Sequence, residues 1–350
     1  GDELTLQVPA YRGDMDSYPD VAEEVIRMYG YEQVIPAFMP EAQVTMGGLP
    51  QNLVKEMKLK RALCSIGAYE CIHYSFFSPS DLDLLRLPQE APERQAIRIM
   101  NPINEELSLM RTTLVPSMLN AISRNQKKGN LEGRLYESAR IFIPKSLPLS
   151  EYPEERSALC IGIFGEKENF FTLKGMAQKV ADTLFLEFTY EPVTRPYLHP
   201  YQAAAICFEG TRIGYLGKVA YEVAEQLDLR TDAYVLEIDL QRLAEAYDRH
   251  ATFTPLPKFP EESRDLALVM DKAVTCGQVE EVIRKSCNYI KSIRLFDVYE
   301  GGQIAEGKKS MAFTVEFTPH EEAFEPDAVD RFVKKILKNL KNQLDIELRS

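Results

Sequence analysis

Histidine is scarce. The four residues His73, His199, His250 and His320 lie too far apart in sequence to suggest a histidine-based metal centre. Cysteine is little commoner, and its six copies (Cys64, Cys71, Cys160, Cys207, Cys276, Cys287) include no CxxC pair. Zinc sites and disulfide frameworks both leave tighter spacing. Most of these cysteines sit in apolar runs, where a free thiol acts as a small hydrophobe, so a reduced, cytoplasmic compartment is expected. No apolar run approaches the roughly 20 residues of a membrane-spanning helix. No signal peptide is recognisable either, and the opening GDELTLQVPAYRGD, without Met, reads as cut from a longer protein. An excess of positive charge is also missing. The formal net charge of −12 argues against broad, nonspecific nucleic-acid binding. That acidity is uneven, because residues 251–350 hold 15 Lys+Arg against 17 Asp+Glu and are close to neutral.

What is present is an ordinary globular composition, 45% hydrophobic and 27% charged over 350 residues. Such a chain suits two or three domains with cores that need no covalent staples. Residues 1–40 form a short leading piece in which VAEEVIRMYGY places Val21, Val25, Met28 and Tyr29 on one helical face, with Gly30 as a C-cap. The Pro/Gly-rich PAFMPEAQVTMGGLPQ reads as a connection. Residues 51–250 alternate between helix and strand patterns, with helices over 52–67, 112–128 and 169–185. Strands are expected at CIHYSFF (71–77), GRLYESARIFIP (133–144), ALCIGIFG (158–165) and YVLEIDL (234–240), and a hairpin at AAAICFEGTRIGYLGKV turned by Glu209-Gly210. The mixture predicts an α+β module on a largely antiparallel sheet.

After the linker DRHATFTPLPKFPEES, residues 251–350 read strand, helix, strand, strand, helix, strand, the ferredoxin-like β-α-β-β-α-β order. KKSMAFTVEF alternates Met311, Phe313, Val315 and Phe317 on one face. The last helix repeats Val329, Phe332, Val333, Ile336, Leu337 and Leu340 at helical spacing. Its other side carries Lys334, Lys335, Lys338 and Lys341, which suits either a solvated face or a stripe facing phosphates.

In YRGDMDSYPDVAEEVIRMYGY four carboxylates, Asp14, Asp20, Glu23 and Glu24, crowd a helix start. Ser17-x-x-Asp20 fits a capping box, Pro19 suits a first turn, and acids are favoured near a helix N-terminus. Capping explains Asp20 and partly Glu23 and Glu24, but not Asp14. A divalent-metal site is the other reading.

Three stretches together resemble the C-terminal half of the beta subunit of bacterial phenylalanyl-tRNA synthetase. They are VPAYRGDMDSYPDVAEEVIRMYGYEQVIP, NPINEELSLMRTTLVPSMLNAISRN with GRLYESARIFIP, and FPEESRDLALVMD with LFDVYEGGQIAEGKKSMAFTVEF. The resemblance implies the end of a small domain (1–40), an inactive class II synthetase-like module (41–250) and a ferredoxin-fold anticodon-binding domain (251–350). It implies that the chemistry sits in an alpha subunit, that an editing domain precedes Gly1, and that the partners are that alpha subunit in an (αβ)₂ assembly and tRNA-Phe. The helix 52–67 and the strand after it are similar to the motif that builds the family's dimer interface.

The residues agree with a module that lacks the chemistry. A class II site needs an Arg after the second motif strand to hold the ATP α-phosphate. Here that slot falls on Ile143, followed by Pro144, and Arg140 should face elsewhere. No Gly-rich segment with a third-motif Arg appears near Tyr234–Leu240. The resemblance further implies a magnesium ion shared with the alpha subunit and held by Asp14, Asp20, Glu23 and Glu24; oxygen-only ligands suit that ion. It also implies that Asp297, Tyr299 and Ser310 read the first anticodon base, Asp297 by accepting from a guanine, Tyr299 by stacking and Ser310 by hydrogen bonding. Arg264, Lys308 and Lys309 are expected to neutralise nearby phosphates. The competing readings are a metal-dependent hydrolase, for which no nucleophile–base pair is evident, and a protein-interaction module.

Overall fold

The computed structural model describes residues 3–37, 39, 47–243, 251–253, 255–302 and 304–349, so half of the connection expected at 36–51 and the start of the linker before Ala251 lie outside the described residues. The chain divides into two compact units, Gly1–His250 and Ala251–Ser350.

The first unit runs α1 (Tyr18–Tyr29), α2 (Gln51–Ser65), β1 (Tyr69–Glu70), β2 (Phe76–Phe77), α3 (Pro79–Leu84), β3 (Leu109–Met110), α4 (Val115–Lys127), β4 (Gly133–Ile143) and β5 (Glu154–Phe164). It continues with α5 (Phe170–Thr183), β6 (Thr189–Pro192), β7 (Leu198–Phe208), β8 (Thr211–Val219), α6 (Tyr221–Gln226) and β9 (Ala233–Asp239). Seven strands form one sheet in the order β1-β4-β5-β9-β8-β7-β6. Every pairing in it is antiparallel except β1 with β4.

Both faces of that sheet are covered, which is why ALCIGIF reads as an unbroken apolar run rather than an alternating one. Leu159, Ile161 and Ile163 point to one core with Leu59 and Leu63 of α2 and Leu173, Met176 and Val180 of α5. Ala158, Cys160 and Phe164 point to the other, with Leu82 of α3, Met118 and Ile122 of α4 and Val223 of α6. Gly162 lets α4 sit close, since an added Cβ would lie 2.7 Å from Met118 Cγ. The β7–β8 hairpin turns on Glu209 and Gly210, both at positive φ (48° and 74°), as a two-residue primed turn requires.

The continuous strand expected at 71–77 is not formed. Only Tyr69–Glu70 pairs with β4 and only Phe76–Phe77 pairs with β3. Cys71 N still donates to Tyr136 O of β4 at 2.7 Å, closing that short ladder, but beyond it His73 N donates to a Glu137 carboxylate oxygen at 3.2 Å instead of to a backbone carbonyl. In α1 the apolar stripe exists, and Gly30 N–H closes on Ile26 O as a cap. No residue of that helix is buried among the described residues; Val25, Met28 and Tyr29 are all more than half exposed.

The second unit runs β10 (Glu262–Asp271), α7 (Cys276–Ser286), β11 (Ile290–Tyr299), β12 (Lys308–Phe317), α8 (Ala328–Leu344) and β13 (Glu347–Leu348). Its sheet order is β11-β12-β10-β13, antiparallel throughout. This is the ferredoxin-like arrangement read from the sequence. Leu266, Leu268, Met270, Met311, Phe313, Val315 and Phe317 form the inner face, packed against Val279 and Ile283 of α7 and Ile336 and Leu340 of α8. Thr275 and Gln278 cap α7 reciprocally.

Candidate nucleic-acid interface

With both helices of the second unit on the inner face, the outer face of the four-stranded sheet is left open, and strand alternation decides which side chains occupy it. On β12 these are Ser310, Ala312, Thr314 and Glu316, opposite Val269, Ala267, Asp265 and Ser263 of β10. On β11, Tyr299 pairs with Ser310 and Asp297 with Ala312. The three expected base readers are therefore brought together, Tyr299 directly across from Ser310 and Asp297 one same-face position along. A β-bulge between Leu295 and Asp297 makes this possible. Leu295 pairs with inward-facing Phe313, and the extra residue, Phe296, flips the parity so that Asp297 and Tyr299 face outward.

Asp297 is exposed, Tyr299 half-buried and Ser310 only 3% exposed. Ser310 thus forms part of a floor rather than a protruding contact. The Tyr299 hydroxyl backs against the turn after β11, where a Cβ at Gly301 would come within 2.5 Å of it.

The basic residues divide. Lys308 shares the outer alternation with Ser310, at the strand's start, whereas Lys309 falls opposite Met270 on the inner alternation. Arg264 is not on the open face. It pairs with Val315, and its guanidinium bonds Asp330 of α8 at 3.3 Å and Glu262 at 3.1 Å. The α8 stripe is also on the helical side; Lys334, Lys335 and Lys338 are exposed, and Lys341 is paired with Asp345 and Glu347.

The carboxylates near α1 are not gathered around one point. Asp14 and Glu24 both bond Arg12, at 2.8 and 2.7 Å, and Glu24 also takes Arg27 at 2.6 Å. The hydrogen bonds from Arg12 hold the Asp14 carboxyl down at about 2, and those from Arg12 and Arg27 lower Glu24. Asp20 accepts from Ser17 Oγ and Ser17 N, both at 2.7 Å, which lowers its pKa and fixes it as a capping group. Glu23 is exposed. Among the described residues no three His, Cys, Asp or Glu side chains cluster as metal ligands. The four carboxylates do not by themselves fit a magnesium site.

In the first unit a cavity of about 380 Å³ lies over β4, β5, β8 and β9, with Ile143 in its lining. Three arginines that the sequence reading did not single out reach its lining: Arg156, Arg212 and Arg242. They come from separate segments, so only the strand register shows that they meet. All three have carboxylate partners within the protein, Arg212 pairing with Glu191 at 4.0 Å. Arg156 pairs with Glu154 at 2.6 Å and Asp239 at 3.7 Å, and Arg242 with Asp239 at 3.3 Å. Glu237 accepts from Leu114 N at 2.6 Å and Thr113 Oγ1 at 2.8 Å. Burial nonetheless pushes its carboxyl up to about 7, against the lowering effect of those bonds. Arg140, by contrast, is exposed and bonded to Glu155, away from the cavity.

The chain thus pairs an α+β unit on a largely antiparallel sheet with a ferredoxin-like unit whose sheet leaves one face open. Comparison with known proteins gives the family. The phenylalanyl tRNA synthetase beta chain CLM domain matches residues 35–240, the ferredoxin-fold anticodon binding domain residues 257–349, and the tRNA synthetase B5 domain residues 1–31. The chain belongs to the phenylalanyl-tRNA synthetase beta-chain family. It is 35% identical to the phenylalanine–tRNA ligase beta subunit of Clostridium tetani over 100% of this chain and 44% of that one, and 34% identical to that of Bacillus subtilis over 99% and 44%. The chain therefore spans less than half the length of these relatives. A pyrrolysyl-tRNA synthetase from Desulfitobacterium hafniense aligns at 16% identity over 55% of this chain and 67% of that chain, with a TM-score of 0.44, a likeness that carries no argument.

Proposed function

We propose that this chain is the noncatalytic part of the beta subunit of a phenylalanine–tRNA ligase, and that it recognises the anticodon of tRNA-Phe and docks the alpha subunit. The observation that carries this reading is the meeting of Asp297, Tyr299 and Ser310 on the open face of a domain that matches the ferredoxin-fold anticodon-binding family. A carboxylate that accepts from a guanine edge, a ring on which a base stacks and a hydroxyl in the floor suit a splayed single-stranded base. Lys308 at the strand's start is placed for a phosphate.

In this reading residues 41–250 are a class II synthetase-like module retired from adenylate chemistry. Ile143 stands in the phosphate slot, and Arg156 and Arg242 in the cleft are already neutralised by carboxylates of the chain. ATP, phenylalanine and the ligation step belong to the alpha subunit of a cytoplasmic (αβ)₂ enzyme. The test is filter binding of tRNA-Phe and of a transcript with a changed first anticodon base. The reading expects tighter binding of the former and loss of that difference in Asp297→Ala. Equal binding of all tRNAs by the unsubstituted chain would favour a protein-interaction module instead.

A further inference from the structure

The sheet register puts a second row beside Tyr299 and Ser310 on the open face. Asp297 pairs with Ala312, Ala312 with Ala267, and Arg349 N donates to Ala267 O at 2.8 Å. The row therefore runs from a carboxylate on one edge, over two alanines, to a guanidinium on the other. Strands lie about 4.8 Å apart, so three strand steps separate Asp297 and Arg349 by roughly 14 Å. The Arg349 guanidinium nevertheless sits 5.0 Å from the centroid of the Tyr299 ring, over its face. Across that span the contact requires both side chains to lie along the sheet, above its small residues. The guanidinium thus covers a ring face on which a base would stack.

We propose that Arg349 is an RNA-contacting residue: it leaves the Tyr299 ring when a nucleotide base stacks there and turns to the backbone phosphate of that single-stranded segment. This inference rests on the anticodon reading above and adds a residue to it. Three features support the exchange. The ring attracts a guanidinium and a base through the same π face, so one contact replaces the other. Arg349 is tethered by its own backbone to β10, which keeps the displaced charge beside the slot. Ala312 and Ala267 leave the floor low enough for a planar group, where larger side chains would fill it.

The test measures binding of a tRNA-Phe transcript to the full chain as a function of salt. Neutralising one phosphate changes the slope of log K against log salt by about 1. Arg349→Ala is expected to bind about 10-fold more weakly near 0.1 M salt with that slope reduced by about 1. Arg349→Lys keeps the slope. Tyr299→Ala loses affinity with the slope unchanged, and Asp297→Ala loses base discrimination with the slope unchanged. The bond from Arg349 N to Ala267 O does not involve the side chain, so thermal unfolding of the variant should match the parent within about 1 °C.

Unchanged or tighter binding by Arg349→Ala would overturn the proposal while leaving the anticodon reading standing, provided that Asp297→Ala still abolishes discrimination. Absence of tRNA binding by the unsubstituted chain would overturn both.

Discussion

Glu137→Leu should be among the most damaging single substitutions in the first unit. Glu137 and Arg111 are 3% and 4% exposed and bonded at 3.0 Å, and His73 Nδ1 lies 2.7 Å from the other carboxylate oxygen. Arg111 also donates to Arg140 O at 2.9 Å and Tyr74 O at 3.2 Å, so it ties the irregular segment before β2 to β4. Burial raises the Glu137 pKa, but the His73 hydrogen bond and the Arg111 charge outweigh it and the net shift is downward. Removing the carboxylate leaves a desolvated guanidinium with carbonyl partners and no counter-charge, which costs about 3–5 kcal/mol. Replacing both members, Arg111→Met with Glu137→Leu, removes the stranded charge and should recover most of that loss. With a urea m-value of about 3 kcal/mol/M, the single variant shifts the midpoint of the first unit's transition down by about 1–1.7 M. The chain has no Trp, so tyrosine near-ultraviolet circular dichroism is the natural probe. A shift below about 0.3 M, or a double variant no more stable than the single, would refute the reasoning.

Glu237 gives a pH prediction of the opposite sign from a salt-bridged acid. Its folded-state pKa is raised from 4.5 to about 7, so the folded chain holds this proton more tightly than the unfolded one. The associated stability is fully present below pH 4.5 and is lost as pH rises to about 7, up to about 3 kcal/mol for a shift of this size. Glu237→Gln should therefore gain on the parent between pH 5 and 8 in urea titrations, and a constant difference would contradict the assignment. Gly214→Ala places a Cβ 2.1 Å from Glu237 O, where β8 and β9 touch, and should destabilise by about 3 kcal/mol in the same assay.

Legibility in the sequence followed periodicity. The six apolar positions of α8, the alternation of β12 and the Glu209-Gly210 turn each carry a local signal strong enough to survive into the fold. The short elements α3, β6 and α6, four to six residues each, offer too few repeats to show a period. Residues 71–77 alternate like a strand, yet the buried Glu137 carboxylate binds the backbone at His73 and draws it off the ladder. At the candidate site, the shared face of Asp297 and Tyr299 followed from parity. That this face is the open one depends on the bulge at Phe296, which no residue type announces. Arg264 shows the converse: a basic residue in a fitting strand lands on the helical side because its register partner is Val315. The cleft arginines and Arg349 are legible only once strand order is known.

The most direct test uses the two-subunit enzyme carrying Asp297→Ala. ATP–pyrophosphate exchange with phenylalanine and charging of tRNA-Phe are measured on the same preparation. If the first unit holds no chemistry and the open sheet reads the tRNA, exchange stays at the parent rate while the kcat/KM for tRNA falls at least 10-fold. Exchange that falls in parallel with charging, or charging that does not change, would contradict the account.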